Sequence, residues 1–487
     1  LKRLFATALV FLCGCASSNR ADAPLSEEKN HSSGARPNIL IILGDDLGPQ
    51  LHCYGDSIAR TPHFDRLAQE GTRFTNAYVT QASCSPSRAS LLSGLYPHQH
   101  GQIGLVPGFS MRAGVRTLPR MLKDAGYRTG CIGKVHVLPD SAFAFDFVDE
   151  MKDESEEEAP VLEEGERPQR INRRSKDVGA VAALAKEFLE KDRTRPFFLL
   201  LSYADPHRPF EDQVAGIPAD PHTAGDVLPL PFLGIDTPAT RQTAAGYYNS
   251  VERLDHGVGL ALGALAGAGL ERTTIVIALG DQGPPFVRSK GTCYEAGIKV
   301  PLLIRWPGQL PEGRVSNALV TALDLMPTIL EWTGCDAPSG LEGKSLAPLL
   351  AEKSPAPSSF REHVFSEFNF HGKLGRYPRR SVRDERYKLI LNLEPERMNP
   401  FKEIDGDVTW SESRRPEFER TEIRRVYDEF ASPSEVELYD LANDPWEMKN
   451  LATDGSAREN REQLAQILNA WRKDHGDTLG NSREKKP

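Results

Sequence analysis

The chain has 487 residues, 39% hydrophobic and 26% charged, with a formal net charge of −9 at neutral pH. That length accommodates a large domain and a smaller one, and the composition is that of a globular protein rather than a disordered or fibrous chain. The acidic balance argues against a nucleic-acid binder with a broad basic face, yet permits a local basic pocket for a small anion.

Lys2 and Arg3 precede the apolar run Leu4 to Leu12, followed by Cys13-Gly14-Cys15 and a polar stretch. This pattern predicts an export signal over residues 1–15, too short to span a bilayer. Leu12-Cys13-Gly14-Cys15 resembles a bacterial lipobox cleaved before Cys15, with residues 16–36 as a polar tether. The expected location is the periplasm or outer membrane, reached by a lipid anchor, with plain secretion as the alternative. The fold opens at Ile39 to Leu43, an unbroken apolar run of the kind buried on both faces of a parallel sheet. An acidic run over residues 149–166 reads as a solvated insertion.

A helix is expected over Val178 to Glu190, a strand over Phe197 to Tyr203 and a helix over Ala245 to Leu265. Strands are then expected at Thr274 to Leu279 and Val300 to Ile304. The alternation predicts an α/β domain with a mostly parallel sheet. The glycines from Gly257 to Gly269 follow a helical pattern rather than a strand, which favours a tightly packed helix over a dinucleotide site. A Pro/Ser-rich connector near Lys353 to Ser359 separates a catalytic domain (37–360) from a C-terminal subdomain (361–487) of strands and a last helix, about Glu459 to His475.

Asp45 and Asp46 directly follow the first strand, and Asp281-Gln282-Gly283 follow the strand at Thr274. Ligands of open α/β sheets collect at the carboxyl ends of strands, so these carboxylates are expected on one edge. Three acidic groups held together need a compensating cation, and oxygen donors favour calcium, then magnesium. Cys84 stands before an apolar stretch in "SCSPSRASLLSG", where Ser85 would cap a helix, Pro86 would sit in its first turn and Gly94 would close it. A helix N-terminus with Arg88 one turn along suits a nucleophile attacking an anionic ester. The other cysteines of the domain (Cys53, Cys131, Cys293 and Cys335) are scattered, with no CxxC zinc spacing.

Cys84-Ser85-Pro86-Ser87-Arg88 resembles the C-x-P-S-R signature of the type I sulfatases. "NILIILGDDLG", "TGCIGKVH", "ADPHRPF" and "GDQGPPFVRSKGTCYEAG" extend the resemblance from about residue 37 to about 475. It implies an alkaline-phosphatase-like fold with a C-terminal antiparallel sheet, and a Cys84 converted to formylglycine by a separate maturation enzyme. It further implies calcium held by Asp45, Asp46, residue 84, Asp281 and Gln282. Arg88 would support the hydrated aldehyde, and Lys134 and Lys290 would grip sulfate oxygens. His136 would help break down the sulfated intermediate and His207 would protonate the leaving group. Charge developing on sulfuryl oxygens suits lysines and a metal, and a poor leaving group suits a histidine donor. Gln282 departs from the family's usual Asn or His, which puts metal affinity rather than activity in question.

Within the family, "RTGCIGKVHVLP", "RLDHGVGL", "YPRRSVRDERYKLILNL" and "ELYDLANDP" resemble the N-sulfoglucosamine sulfohydrolases, or heparan N-sulfatases. That subgroup removes the N-linked sulfate from terminal glucosamine of heparin or heparan sulfate. Arg379, Arg380 and Arg383 are then candidate contacts to a polyanionic sugar chain. Alternatives are an exo-acting O-sulfatase on another glycan and a non-catalytic glycan-binding lipoprotein. A phosphatase on the same superfold would use Ser or Thr with zinc or manganese ligands. A cysteine hydrolase pairing Cys84 with His136 would leave the aspartates unexplained. A homodimer is left open.

Overall fold

The computed structural model describes residues 36–151, 173–351 and 360–479. The export signal, the tether to residue 35, residues 152–166 of the acidic insertion and the connector 353–359 lie outside the described residues. No helix among the described residues is long and apolar enough to cross a membrane.

An eight-stranded sheet organises the larger part of the chain. Its strands are β1 (Asn38–Gly44), β2 (Thr72–Tyr78), β3 (Arg128–Gly133), β4 (Phe147–Asp149), β5 (Phe197–Tyr203), β6 (Thr274–Gly280), β7 (Lys299–Arg305) and β8 (Arg314–Thr321). They lie in the order β4-β3-β5-β1-β6-β7-β2-β8. β1 is central, and alternate residues feed two cores. Ile39, Ile41 and Leu43 pack on one face, Leu40 and Ile42 on the other, all 0–1% exposed. Burying each such side chain contributes about 1.5–3 kcal/mol, so an unbroken apolar run is the sequence a doubly covered strand requires.

The sheet is mostly parallel, with one exception: β7 runs antiparallel to both β6 and β2. The run Val300 to Ile304 therefore forms a strand, but one that points against the others. The segment between Gly280 and Lys299 contains only the one-turn helix Glu295–Ile298, and without a crossover helix the chain returns in the opposite direction.

Helices α1 (Pro62–Gln69), α2 (Cys84–Ser93), α3 (Val178–Lys191), α4 (Pro238–Gly267) and α5 (Leu325–Thr333) surround the sheet. The glycine-rich stretch lies in α4. Gly257 allows close approach, because a Cβ there would lie 2.7 Å from the Tyr203 ring. A second, four-stranded antiparallel sheet follows, ordered β12-β11-β10-β9. Its strands are β9 (Val364–His371), β10 (Gly375–Arg383), β11 (Tyr387–Asn392) and β12 (Val436–Asp440). The last helix, α6 (Arg458–Asp474), lays Leu464, Leu468 and Trp471 on one face against Val382, Leu389 and Leu438. Phe368, Tyr377, Ile390 and Phe401 form a separate core.

Candidate active site

Four strands of the large sheet end at the same edge, and each delivers a polar group. Asp45 and Asp46 leave β1, Lys134 leaves β3, His207 follows β5 and Asp281 leaves β6. β3 and β5 approach closely there. Gly133 has φ +94, and a Cβ on it would lie 1.9 Å from the Ser202 carbonyl oxygen, so only glycine fits before Lys134. Two residues near these strand ends adopt left-handed backbone without being glycine: Asp46 (φ 68) and His136 (φ 56). Each costs about 1–3 kcal/mol, an expense concentrated where side-chain aim matters.

Helix α2 enters from the other side, buried along its whole length. It starts two residues earlier than the sequence pattern indicated. Ser83, with extended backbone, is the N-cap; Cys84 is the first helical residue, and Gly94 (φ 69) ends the helix as expected. Ser85 is not the cap; its Oγ accepts a hydrogen bond from Val106 N. Pro86 is tolerated in the first turn, where backbone N–H groups have no intrahelical partner.

The predicted catalytic and metal residues converge. Lys134 Nζ donates to Asp45 Oδ2 at 2.6 Å and Lys290 Nζ to Asp46 Oδ2 at 2.9 Å. Arg88 donates through Nε to Asp281 Oδ2 at 2.8 Å, and through Nη1 to Ser202 Oγ and the Lys134 carbonyl. Gln282 Nε2 donates to Asp46 Oδ1 and lies 3.0 Å from Cys84 Sγ. His207 Nε2 is 3.8 Å from Asp46 Oδ2. Its main chain is fixed from behind: Lys176 Nζ donates both to the His207 carbonyl and to Asp205, itself clamped by Arg253. Lys134, His136 and Ser202 also line a cavity of about 480 Å³, within the size range of small-molecule sites.

Electrostatics separate the roles open to these groups. Burial, then Asp45, pushes the Cys84 thiol up to about 12, so the unmodified side chain is a protonated thiol at neutral pH. That disfavours a cysteine hydrolase and fits a residue 84 that acts only after its sulfur is replaced. Burial, then Lys134, brings His136 down to about 2, and burial with Lys290 lowers His207. An anionic sulfuryl group placed against these rings raises both values.

The residues present also fit a hard cation. Oxygens of Asp45, Asp46 and Asp281 lie within 4.8 Å of one another. Asp45 Oδ1 and Gln282 Oε1 are buried with no hydrogen-bond partner, as expected of atoms that serve a metal. Gln282 thus keeps a carbonyl oxygen free for a cation.

Arg379, Arg380 and Arg383 are not brought to this pocket's surface. They are 1%, 0% and 5% exposed on β10, which is covered on both faces. Arg380 forms a two-pronged pair with Asp477, and Arg383 pairs with Glu295 and Tyr78. Arg379 lies over the Tyr377 ring. Arg380 and Arg383 are committed to ion pairs and all three side chains are buried, which corrects the expected sugar contact. Arg380→Ala would remove the two-pronged partner of Asp477, leaving it Arg472 alone, and a second cation beside Glu367, which keeps His98, at a cost of about 3–5 kcal/mol. A large drop in melting temperature is expected; an unchanged melt with only KM raised would reinstate the sugar-binding role.

Two site residues carry no signal in the sequence reading. Asp405 (φ 49) arrives from the C-terminal subdomain, 2.8 Å from Lys290 Nζ. His371, at the end of β9, shares a hydrogen bond with Ser83 Oγ and lies 4.0 Å from Asp405. Neither belongs to a motif with a spacing rule, and only the packing of the second sheet against the first reveals them.

A sequence model described as Sulfatase matches residues 37–335, and one described as N-sulphoglucosamine sulphohydrolase, C-terminal, matches residues 287–406. The chain is 36% identical over 479 residues to human N-sulphoglucosamine sulphohydrolase, covering 90% of each. It is 30% identical over 459 residues to an ulvan-active sulfatase of Formosa agariphila, covering 93% of this chain and 84% of that one. Among solved structures it resembles one in complex with its substrate D-glucosamine-2-N,6-O-disulfate, at 22% identity and a TM-score of 0.66. That likeness covers 92% of this chain and all of the other.

Proposed function

The chain belongs to the sulfatase family, and from that premise we propose that it hydrolyses the N-linked sulfate of a terminal glucosamine in heparin or heparan sulfate. The observation that carries the substrate is the match of residues 287–406 to the C-terminal part of N-sulphoglucosamine sulphohydrolase. This segment contributes Lys290 and Asp405 to the pocket.

In this reading Lys134 and Lys290 draw the sulfuryl oxygens in and offset the charge that builds on them. His207, its main chain held by Lys176, delivers a proton to the leaving nitrogen. His136, on strained backbone beside Lys134, lies at the cavity on the other side. Arg88 keeps Asp281 and the end of β3 in register. A calcium ion, when held by Asp45, Asp46, Asp281 and Gln282, would supply Lewis-acid polarisation. Formylglycine at position 84, formed by a maturation enzyme, would supply the attacking oxygen as its hydrate.

The test is product analysis on protein made with a maturation enzyme, comparing N-sulfoglucosamine with O-sulfated, N-acetylated glucosamine. Release of sulfate from the first, leaving a free amine, is expected to exceed release from the second. Preference for the O-sulfated sugar would overturn the N-sulfatase reading and leave the family assignment standing.

A further inference from the structure

We infer that Asp405 makes the pocket choose a nitrogen-linked sulfate over an oxygen-linked one, by accepting a hydrogen bond from the N–H that only the former carries at its leaving atom. The inference rests on the N-sulfatase reading above and names the group that would enforce it.

The placement of Asp405 is the starting point. Its carboxylate lies 2.8 Å from Lys290 Nζ, which also reaches Asp46 at 2.9 Å. Asp46, His207 and Asp405 each offer an atom within 4.8 Å of the others. Asp405 therefore stands beside His207, the proposed proton donor to the leaving atom. Within this group Asp46 and Lys290 are sealed, with side chains 0% and 1% exposed, whereas those of His207 and Asp405 are 28% and 19% exposed. These two front the opening through which a sugar must present its sulfate.

A carboxylate is a poor neighbour for an anion. It draws on the charge of Lys290 and repels sulfuryl oxygens, so a pocket concerned with sulfate alone gains nothing from it. Its position is useful if the leaving group has a hydrogen to offer. A sulfamate, R–NH–SO3−, has one on nitrogen; an ester, R–O–SO3−, presents only lone pairs there. Lys290 occupies Asp405 Oδ2, so a bound ester that covers Oδ1 without offering it a donor is disfavoured against a sulfamate that does. His371 backs Asp405 from the other side, its ring aligned by Ser83 and packed against Phe401.

The chemistry balances without a further reactant: R–NH–SO3− plus water gives R–NH3+ and SO4²−. The S–N bond breaks with its electron pair on nitrogen, and nitrogen takes one proton from His207. A second comes from water, which also restores His207 and, over the turnover, would replace the hydrate oxygen of residue 84 that passes to sulfur. Asp405 holds the original N–H throughout and retains its contact with the departing amine.

The test compares the wild type with Asp405→Gly, which suits the left-handed backbone, and Asp405→Asn, which keeps the shape and a weaker acceptor. Each is assayed on N-sulfoglucosamine and on 4-nitrophenyl sulfate, an ester with no hydrogen at the leaving oxygen. Asp405→Gly should lose at least ~30-fold more kcat/KM on the sulfamate than on the ester, with Asp405→Asn in between. Binding gives an independent readout. In a Cys84→Ala background, Asp405→Gly should weaken N-sulfoglucosamine binding ~10-fold or more and leave glucosamine 6-O-sulfate unweakened. Equal losses on both substrates would reduce Asp405 to a prop for Lys290 and overturn the inference. So would variants that keep the wild-type preference for the sulfamate. A wild type that ignores N-sulfoglucosamine would instead defeat the reading on which the inference rests. Should the glycine variant melt early, the asparagine variant carries the comparison.

Discussion

Cys84→Ala is expected to lower sulfate release by ~10⁵-fold or more, with little change in the thermal transition. The side chain is small, so alanine removes one buried sulfur at the first residue of α2 and leaves the helix, its Ser83 cap and its Gly94 terminus intact. Everything else in the pocket is arranged around that position. Gln282 Nε2 lies 3.0 Å from the sulfur, and Lys134, Lys290 and Asp45 all exert a field on it. Yet the thiol itself is raised to about 12 by burial and Asp45, so only a minute fraction would be thiolate at neutral pH. A pocket aimed at an atom that cannot ionise in it makes sense if that atom is replaced. Mass spectrometry of the Cys84 peptide from active protein should therefore show formylglycine, in proportion to specific activity. Full turnover from protein whose residue 84 is entirely thiol would sink this account.

How far the sequence disclosed the site depends on the range of the forces involved. Asp45, Asp46 and Asp281 were legible because a doubly buried strand must be apolar throughout, and its carboxyl end is where that run stops. Strand direction was not legible at β7, since an apolar run encodes burial and not polarity; the antiparallel turn of Lys299–Arg305 follows from what precedes it. The β10 arginines misled for a related reason. A row of basic residues reads as solvated, and here two of the charges are answered from elsewhere in the chain, Asp477 for Arg380 and Glu295 for Arg383, while Arg379 lies over the Tyr377 ring. Asp405 was invisible because an acidic residue before a loop glycine is ordinary, and its meaning lies in a partner more than a hundred residues away, Lys290.

Removing the metal should have an effect of similar scale, for an electrostatic reason that begins with crowding. Burial, with Asp45 and Asp46 nearby, pushes the Asp281 carboxyl up to about 8 despite Arg88 beside it, so in the absence of a cation the cluster binds a proton at neutral pH. A hard cation takes the place of that proton. Calcium binding should release protons, and its affinity should rise as pH climbs towards about 8, because the competing proton is then lost more readily. A bound cation would also compete with Lys134 and Lys290 for Asp45 and Asp46, freeing Lys134 for sulfuryl oxygens and leaving Lys290 with Asp405 alone. Chelation should therefore cost ~10³-fold or more in turnover, with calcium restoring it best, and Asp45→Ala should match that loss without rescue. Calorimetry supplies a measure that does not depend on catalysis. At ~100 times its dissociation constant, calcium should stabilise the wild type by about 2.7 kcal/mol, and Asp45→Ala should show little of that gain at the same concentration. Undiminished turnover in demonstrably metal-free protein would refute the metal's role. Equal calcium stabilisation of wild type and Asp45→Ala would instead move the ion away from Asp45, whose Oδ1 accepts no hydrogen bond and has only Arg88 Nη2 near it, at 3.5 Å.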